Sequence, residues 1–298
     1  MAKTHDHDHQ TGDERRVFFA MLLTGGFMLA EVVGGLIAGS LALLADAGHM
    51  LTDTAALALA FAAFRVARRG HDQKRTYGYH RFQVLAAFIN GLTLILIVGG
   101  IAVEAVRRLA EPVEVEGGLM LVIAVAGLVV NIVAFAVLHR GSSENLNVQG
   151  AALHVLGDLL GSLAAIAAAL VILWTGWMPI DPLLSILVAL LIARSAWFLV
   201  RKSGHILLEG APDWLDVGEL RETLVEAVPE VRDVHHVHVW MLTSERPLMT
   251  LHAVIEGEAD PIRCLQAIQR VLDDRYGIGH ATVQIERGGC LDAPVAGD

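Results

Sequence analysis

Cysteine is nearly absent. The 298 residues contain two, Cys264 and Cys290, both near the C-terminal end. So few thiols exclude a disulfide framework and suit a reducing compartment. Positive charge is also short, with 22 Lys and Arg against 32 Asp and Glu. That balance argues against nucleic acid as a partner. The N-terminus, MAKTHDHDHQTGDERR, lacks the apolar core and cleavage site of a signal peptide, so the first apolar segment is expected to act as its own insertion signal. No Gly-rich phosphate loop and no H-E-x-x-H occurs, which removes the commonest signatures of nucleotide binding and zinc peptidase chemistry.

What the chain has instead is apolar length. Hydrophobic residues make up 54%, and the mean hydropathy is +0.54. This composition belongs to a membrane protein. Six apolar stretches approach or exceed the roughly 20 residues that cross a bilayer: Val17–Ala38, Leu41–Phe64, Phe82–Val106, Gly118–Leu138, Val148–Trp174 and Leu183–Val200. Each is read as a helix, because a backbone in lipid must satisfy its own hydrogen bonds.

Charge divides the chain. Residues 203–298 hold 17 acidic and 7 basic residues, whereas residues 1–202 hold 15 of each. The expected domains are therefore a His-rich N-terminal tail (1–16), a six-helix transmembrane domain (17–202), a small cytoplasmic α+β domain (203–290) and a C-terminal tail (291–298). The loop RVARRGHDQKRTYGYHR after the second span carries six Lys and Arg. The positive-inside rule then places both termini in the cytoplasm. In the acidic region, residues 216–228 and 261–275 read as helices. VHHVHVWML, LMTLHAVIE and HATVQIE read as strands, giving the order αββαβ. Strict alternation would put His236 and His238 on one face of the first strand and His235 on the other.

Charged groups inside a span are expensive, about 2.5–3.5 kcal/mol for Asp. Yet H-x-x-x-D occurs twice: His49 and Asp53 in the second span, His154 and Asp158 in the fifth. Residues i and i+4 share a helix face, so each helix offers one imidazole beside one carboxylate. If the two helices pack, with Gly48, Gly157 and Gly161 allowing close approach, four ligands converge. Two nitrogens and two carboxylate oxygens suit tetrahedral Zn²⁺, with Cd²⁺ and Co²⁺ as substitutes. Two aspartates neutralise one divalent ion. When the site is vacant they repel each other and take up protons, so exchange of metal for protons follows from the ligands. The alternative is that each pair is an isolated helix–helix hydrogen bond. Asp46, three residues before His49, is read as a capping or entrance residue, not a fifth ligand.

SLALLADAGHMLTD, HVLGD in the fifth of six spans and the acidic αββαβ region closely resemble the cation diffusion facilitators. The resemblance implies a homodimeric zinc/proton antiporter of the cell inner membrane, exporting Zn²⁺ from the cytoplasm through His49, Asp53, His154 and Asp158. It implies a secondary transporter and no enzyme, with Fe²⁺ among the other metals to consider. His235, His252 and Glu286 match ligand positions of a tail zinc site in the family, and Cys290 would add a thiolate. Gln284 stands where some members have His, a departure from a binuclear site. His80, in YGYHRFQ, resembles a boundary ligand of the family; His71 and Asp72 accompany it in the loop. HDHDH near the N-terminus is either a flexible metal collector or a solvated tail. Two other classes compete. An intramembrane metalloenzyme would need an open metal position and a general base. A zinc sensor would need an output domain, for which the acidic tail is small.

Overall fold

The computed structural model describes residues 6–51, 54, 72–139 and 146–288, with side chains for 22–51, 54, 72–137 and 158–288. It divides into two compact units, one of residues 1–60 and 89–200, the other of 61–88 and 201–298.

The first unit is helical. Its elements are α1 (Asp6–Ala38), α2 (Leu41–Leu51), most of α3 (Arg81–Ala110), α4 (Gly117–His139), α5 (Leu146–Thr175) and most of α6 (Ile180–Leu207). Among the described residues, four helices are long and apolar enough to span a bilayer: α3, α4, α5 and α6. The apolar parts of α1 and α2, Leu22–Ala38 and Leu41–Leu51, are shorter. Among the described residues, these helices stand where the hydropathy places them. Most of the second expected span beyond Leu51 lies outside the described residues. α1 begins at Asp6, so its backbone is helical through most of HDHDH, where a flexible tail was expected.

Large apolar side chains face outward on the helices. Leu96 is 76% exposed and Trp174 80%, with Leu36, Val122, Leu160 and Leu190 also exposed. An apolar girdle of this extent needs lipid around it. Inside, the packing residues are small. Ala38, Ala42, Ala124, Ala165, Ala168 and Ala169 join Leu43, Met120 and Ile172 in one cluster. Ala45, Ala105, Ala189 and Ala196 join Leu41, Leu94, Val98 and Ile192 in another. α2 contributes to both and also packs Ala47 and Met50 on Met28 of α1. It is buried nearly all round, as expected of a helix in the centre of a bundle.

The second unit contains the predicted αββαβ order: α7 (Val217–Ala227), β1 (Val231–Thr243), β2 (Arg246–Ile255), α8 (Pro261–Tyr276) and β3 (Ala281–Glu286). The sheet order is β1-β2-β3, with β1 and β2 antiparallel and β2 and β3 parallel. The caps are written in the sequence. The Asp216 carboxylate accepts from Gly218 N and Glu219 N at the start of α7. Asp260 and Pro261 start α8, and Gly277, at φ 63°, ends it in the left-handed conformation. Leu220, Leu224, Ile268 and Leu272 from the two helices pack on Val234, Leu251 and Ala253 of the sheet.

Candidate metal sites

Of the four residues in the two H-x-x-x-D pairs, Asp53 lies outside the described residues. The side chain of His154, on α5, does so too. His49 is half-buried on α2, and Asp158 is 3% exposed on α5. The two helices meet close by. Asp46 of α2 sits against Gly161 of α5, where an added Cβ would lie 3.2 Å from its Oδ1. His49 is three residues from Asp46, and Asp158 three from Gly161, so about one turn separates each from the contact. Among the described residues, Gly161 is thus the point of close approach of α2 and α5, and the surroundings of Gly157 lie outside them. Gly48 is not: its missing side chain makes room for Ile97 of α3, 3.2 Å from where a Cβ would stand.

Asp181 has a structural role that the sequence alone did not display. This fully buried residue at the start of α6 caps α2. Its Oδ1 accepts from Ser40 Oγ at 2.6 Å and Ala42 N at 3.2 Å, and its Oδ2 accepts from Leu41 N at 2.8 Å. Arg108 of α3 donates to Gly39 O and to Glu104 Oε1, closing the same end of the bundle. An acid directly before Pro182 at a helix start was the available signal. Its partner, 141 residues away, was not legible.

In the second unit, His235, His236 and His252 offer ring nitrogens that all lie within 4.8 Å of one another. His236 belongs to this set against expectation. The β1–β2 register pairs His235 with His252 and His238 with Thr250, so β1 has one extra residue between them. His236 takes φ 47° at this bulge, and its ring turns to the His235 side, 4.9 Å from the His252 ring. Glu286 is 3% exposed and completes the cluster. Its Oε2 is 3.2 Å from His235 Nε2, and its Oε1 is 3.1 Å from His252 Nδ1. Gln284 donates to Glu286 Oε1 at 2.9 Å, and His235 Nδ1 lies 2.8 Å from Asp233 Oδ2. Three imidazoles and a carboxylate are a donor set suited to Zn²⁺. Cys290 lies outside the described residues. Cys264 is buried in the core, where burial, reinforced by the charges of Glu230 and Asp260, pushes its thiol above the ordinary range.

The loop after α2 is built differently. Asp72 accepts from Tyr79 OH at 2.7 Å and from the N–H groups of Lys74 and Arg75. The Tyr79 hydroxyl, followed by the Arg75 N–H, holds its carboxyl below the usual range. His80 Nε2 lies 3.1 Å from Arg246 Nη1, a cationic donor. These contacts turn Asp72 and His80 toward different partners, and among the described residues they form no common cluster. His71 lies outside those residues.

The profile described as "Cation efflux transmembrane domain" matches residues 17–208, and "Cation efflux protein, cytoplasmic domain" matches 212–288. The chain belongs to the cation diffusion facilitators. They are transport proteins, and this chain is a multi-pass membrane protein that carries cations outward. It is similar to the zinc transporter ZitB of Escherichia coli (strain K12), 54% identical over 97% of this chain and 94% of that one. It is 43% identical to the metal cation efflux system protein CzcD of Cupriavidus metallidurans, over 99% and 94% of the two chains. It is 40% identical to a cadmium, cobalt and zinc/H(+)-K(+) antiporter of Bacillus velezensis, over 95% and 91%.

Proposed function

We propose that this cation diffusion facilitator exports Zn²⁺ from the cytoplasm in exchange for protons, holding the ion between α2 and α5 with His49, Asp53, His154 and Asp158. The observation that carries the reading is the contact of Asp46 with Gly161, one turn from His49 and one turn from Asp158. It supports convergence of the two H-x-x-x-D motifs. The relatives named for zinc support the choice of ion. Cd²⁺ and Co²⁺ are alternative substrates, in keeping with the antiporter relative, and Fe²⁺ is a further candidate.

The chain works as a homodimer in the bacterial inner membrane, with both termini in the cytoplasm. Zinc on His235, His236, His252 and Glu286, with Cys290 nearby in sequence, adjusts the transport cycle from the tail. Reconstitution in proteoliposomes under a pH gradient tests the transport reading. Zinc flux that follows the gradient and is lost in both Asp53→Ala and Asp158→Ala supports it. Flux unchanged in those variants would place the ion path elsewhere.

A further inference from the structure

The proposed site leaves a second set of buried polar groups unused. Glu31 of α1 is 2% exposed and Asn131 of α4 is 1% exposed, both in an apolar bundle. Among the described residues, neither Glu31 Oε2 nor Asn131 Oδ1 has a hydrogen-bond partner. Polar atoms stripped of water and left without partners are costly and are retained for a ligand or a function.

Their surroundings converge. The Phe27 ring lies 2.8 Å and Glu31 Oε1 3.3 Å from where a Cβ would stand on Gly127 of α4, so the missing side chain makes room for both. Asn131 follows Gly127 by one turn on the same face. Its Nδ2 donates to Ser162 Oγ of α5 at 3.4 Å. Ser162 adjoins Gly161, against which Asp46 sits. Four helices therefore bring two carboxylates, an amide oxygen and a hydroxyl to one region.

We infer that Glu31, Asp46 and Asn131 form a second divalent-cation station, through which the transported ion passes after leaving the His49–Asp158 site. Two carboxylates balance one divalent charge. An oxygen-only set binds Zn²⁺ less tightly than one containing imidazole, which suits a station that must release its ion. Its position gives the direction of passage. Asp46 lies three residues nearer the α1–α2 link than His49, and Ser162 lies one turn nearer the α5–α6 link than Asp158. Both links are at the end closed by Ser40 and Asp181, the external end in the proposed orientation. This inference rests on the transport reading.

The test is zinc flux through the full chain in oriented proteoliposomes, with Zn²⁺ added in steps on the release side. Released zinc that rebinds the station inhibits flux. Glu31→Gln and Asp46→Asn should each raise the inhibitory release-side concentration at least tenfold. The uptake-side half-saturating concentration should stay within about twofold. Asn131→Asp should lower the inhibitory concentration, a gain that a misfolded variant cannot imitate. Unchanged release-side inhibition in all three variants would overturn the station. A parallel rise in the uptake-side concentration would also overturn it, by making these groups part of the first site. Flux that survives Asp158→Ala would instead refute the His49–Asp158 reading. The release-side curves, measured on the flux that remains, would still decide whether the three residues bind an ion.

Discussion

Asp181 of α6 accepts a hydrogen bond from Ser40 Oγ at 2.6 Å, and both residues are fully buried. The same carboxylate takes the N–H groups of Leu41 and Ala42. A helix that starts inside a bundle has no water for its first N–H groups. A negative charge there also complements the helix dipole. The helix held in this way carries His49 and Asp46.

Replacing Asp181 by Ala should leave three buried donors without an acceptor. The expected cost is about 2–4 kcal/mol, from about 1–3 kcal/mol per orphaned group with partial relaxation. Thermal unfolding followed by detergent size-exclusion chromatography should show a clear fall in midpoint. Asp181→Asn keeps an acceptor oxygen and should fall less. Equal midpoints for wild type and Asp181→Ala would show that the cap does not hold α2.

Gly161 should tolerate almost nothing larger than itself. Ala brings a Cβ to 3.2 Å from Asp46 Oδ1, a tight contact that small shifts can absorb. Val and Leu must separate α2 from α5. Zinc flux should fall several-fold in Gly161→Ala and by about two orders of magnitude in Gly161→Leu, on the scale of a 1 Å misplacement of functional groups. Gly48→Ala, which faces Ile97, serves as the contrast and should affect the flux less than Gly161→Leu.

His236 and His238 should differ in the opposite sense to simple strand alternation. His236→Ala should weaken zinc binding at the tail cluster about tenfold or more, the scale for loss of groups that support a metal site. His238→Ala should leave it within about twofold. Co²⁺ titration of the full chain carrying Asp158→Ala, followed by visible absorption, reads the tail site with the membrane site disabled. Equal effects of the two variants would mean that the bulge does not position a ligand.

Cys264 gives the tail a pH dependence of defined sign. Burial holds its thiol above the ordinary value, so the unfolded chain ionises first. Its contribution to stability is full below about pH 8.5, the ordinary thiol value, and is lost as pH rises through the higher folded value. Cys264→Ala should flatten the alkaline side of the stability curve measured by chemical denaturation. In the folded wild type at neutral pH, a maleimide should label Cys264 only after denaturant is added.

Local pattern and composition determined the helices, the αββαβ order and the paired H-x-x-x-D motifs. Hydropathy and short-range periodicity act over a few residues, so a sequence displays them directly. The tertiary structure decided what depends on partners distant in the chain. It set Gly161 against Asp46 and turned Gly48 to Ile97, because which glycine admits a neighbour depends on how the helices are rotated. It gave α2 its cap from Asp181, a residue 141 positions away. It also placed His236 beside His252, because one extra residue in β1 and a positive φ reverse the face that alternation assigns.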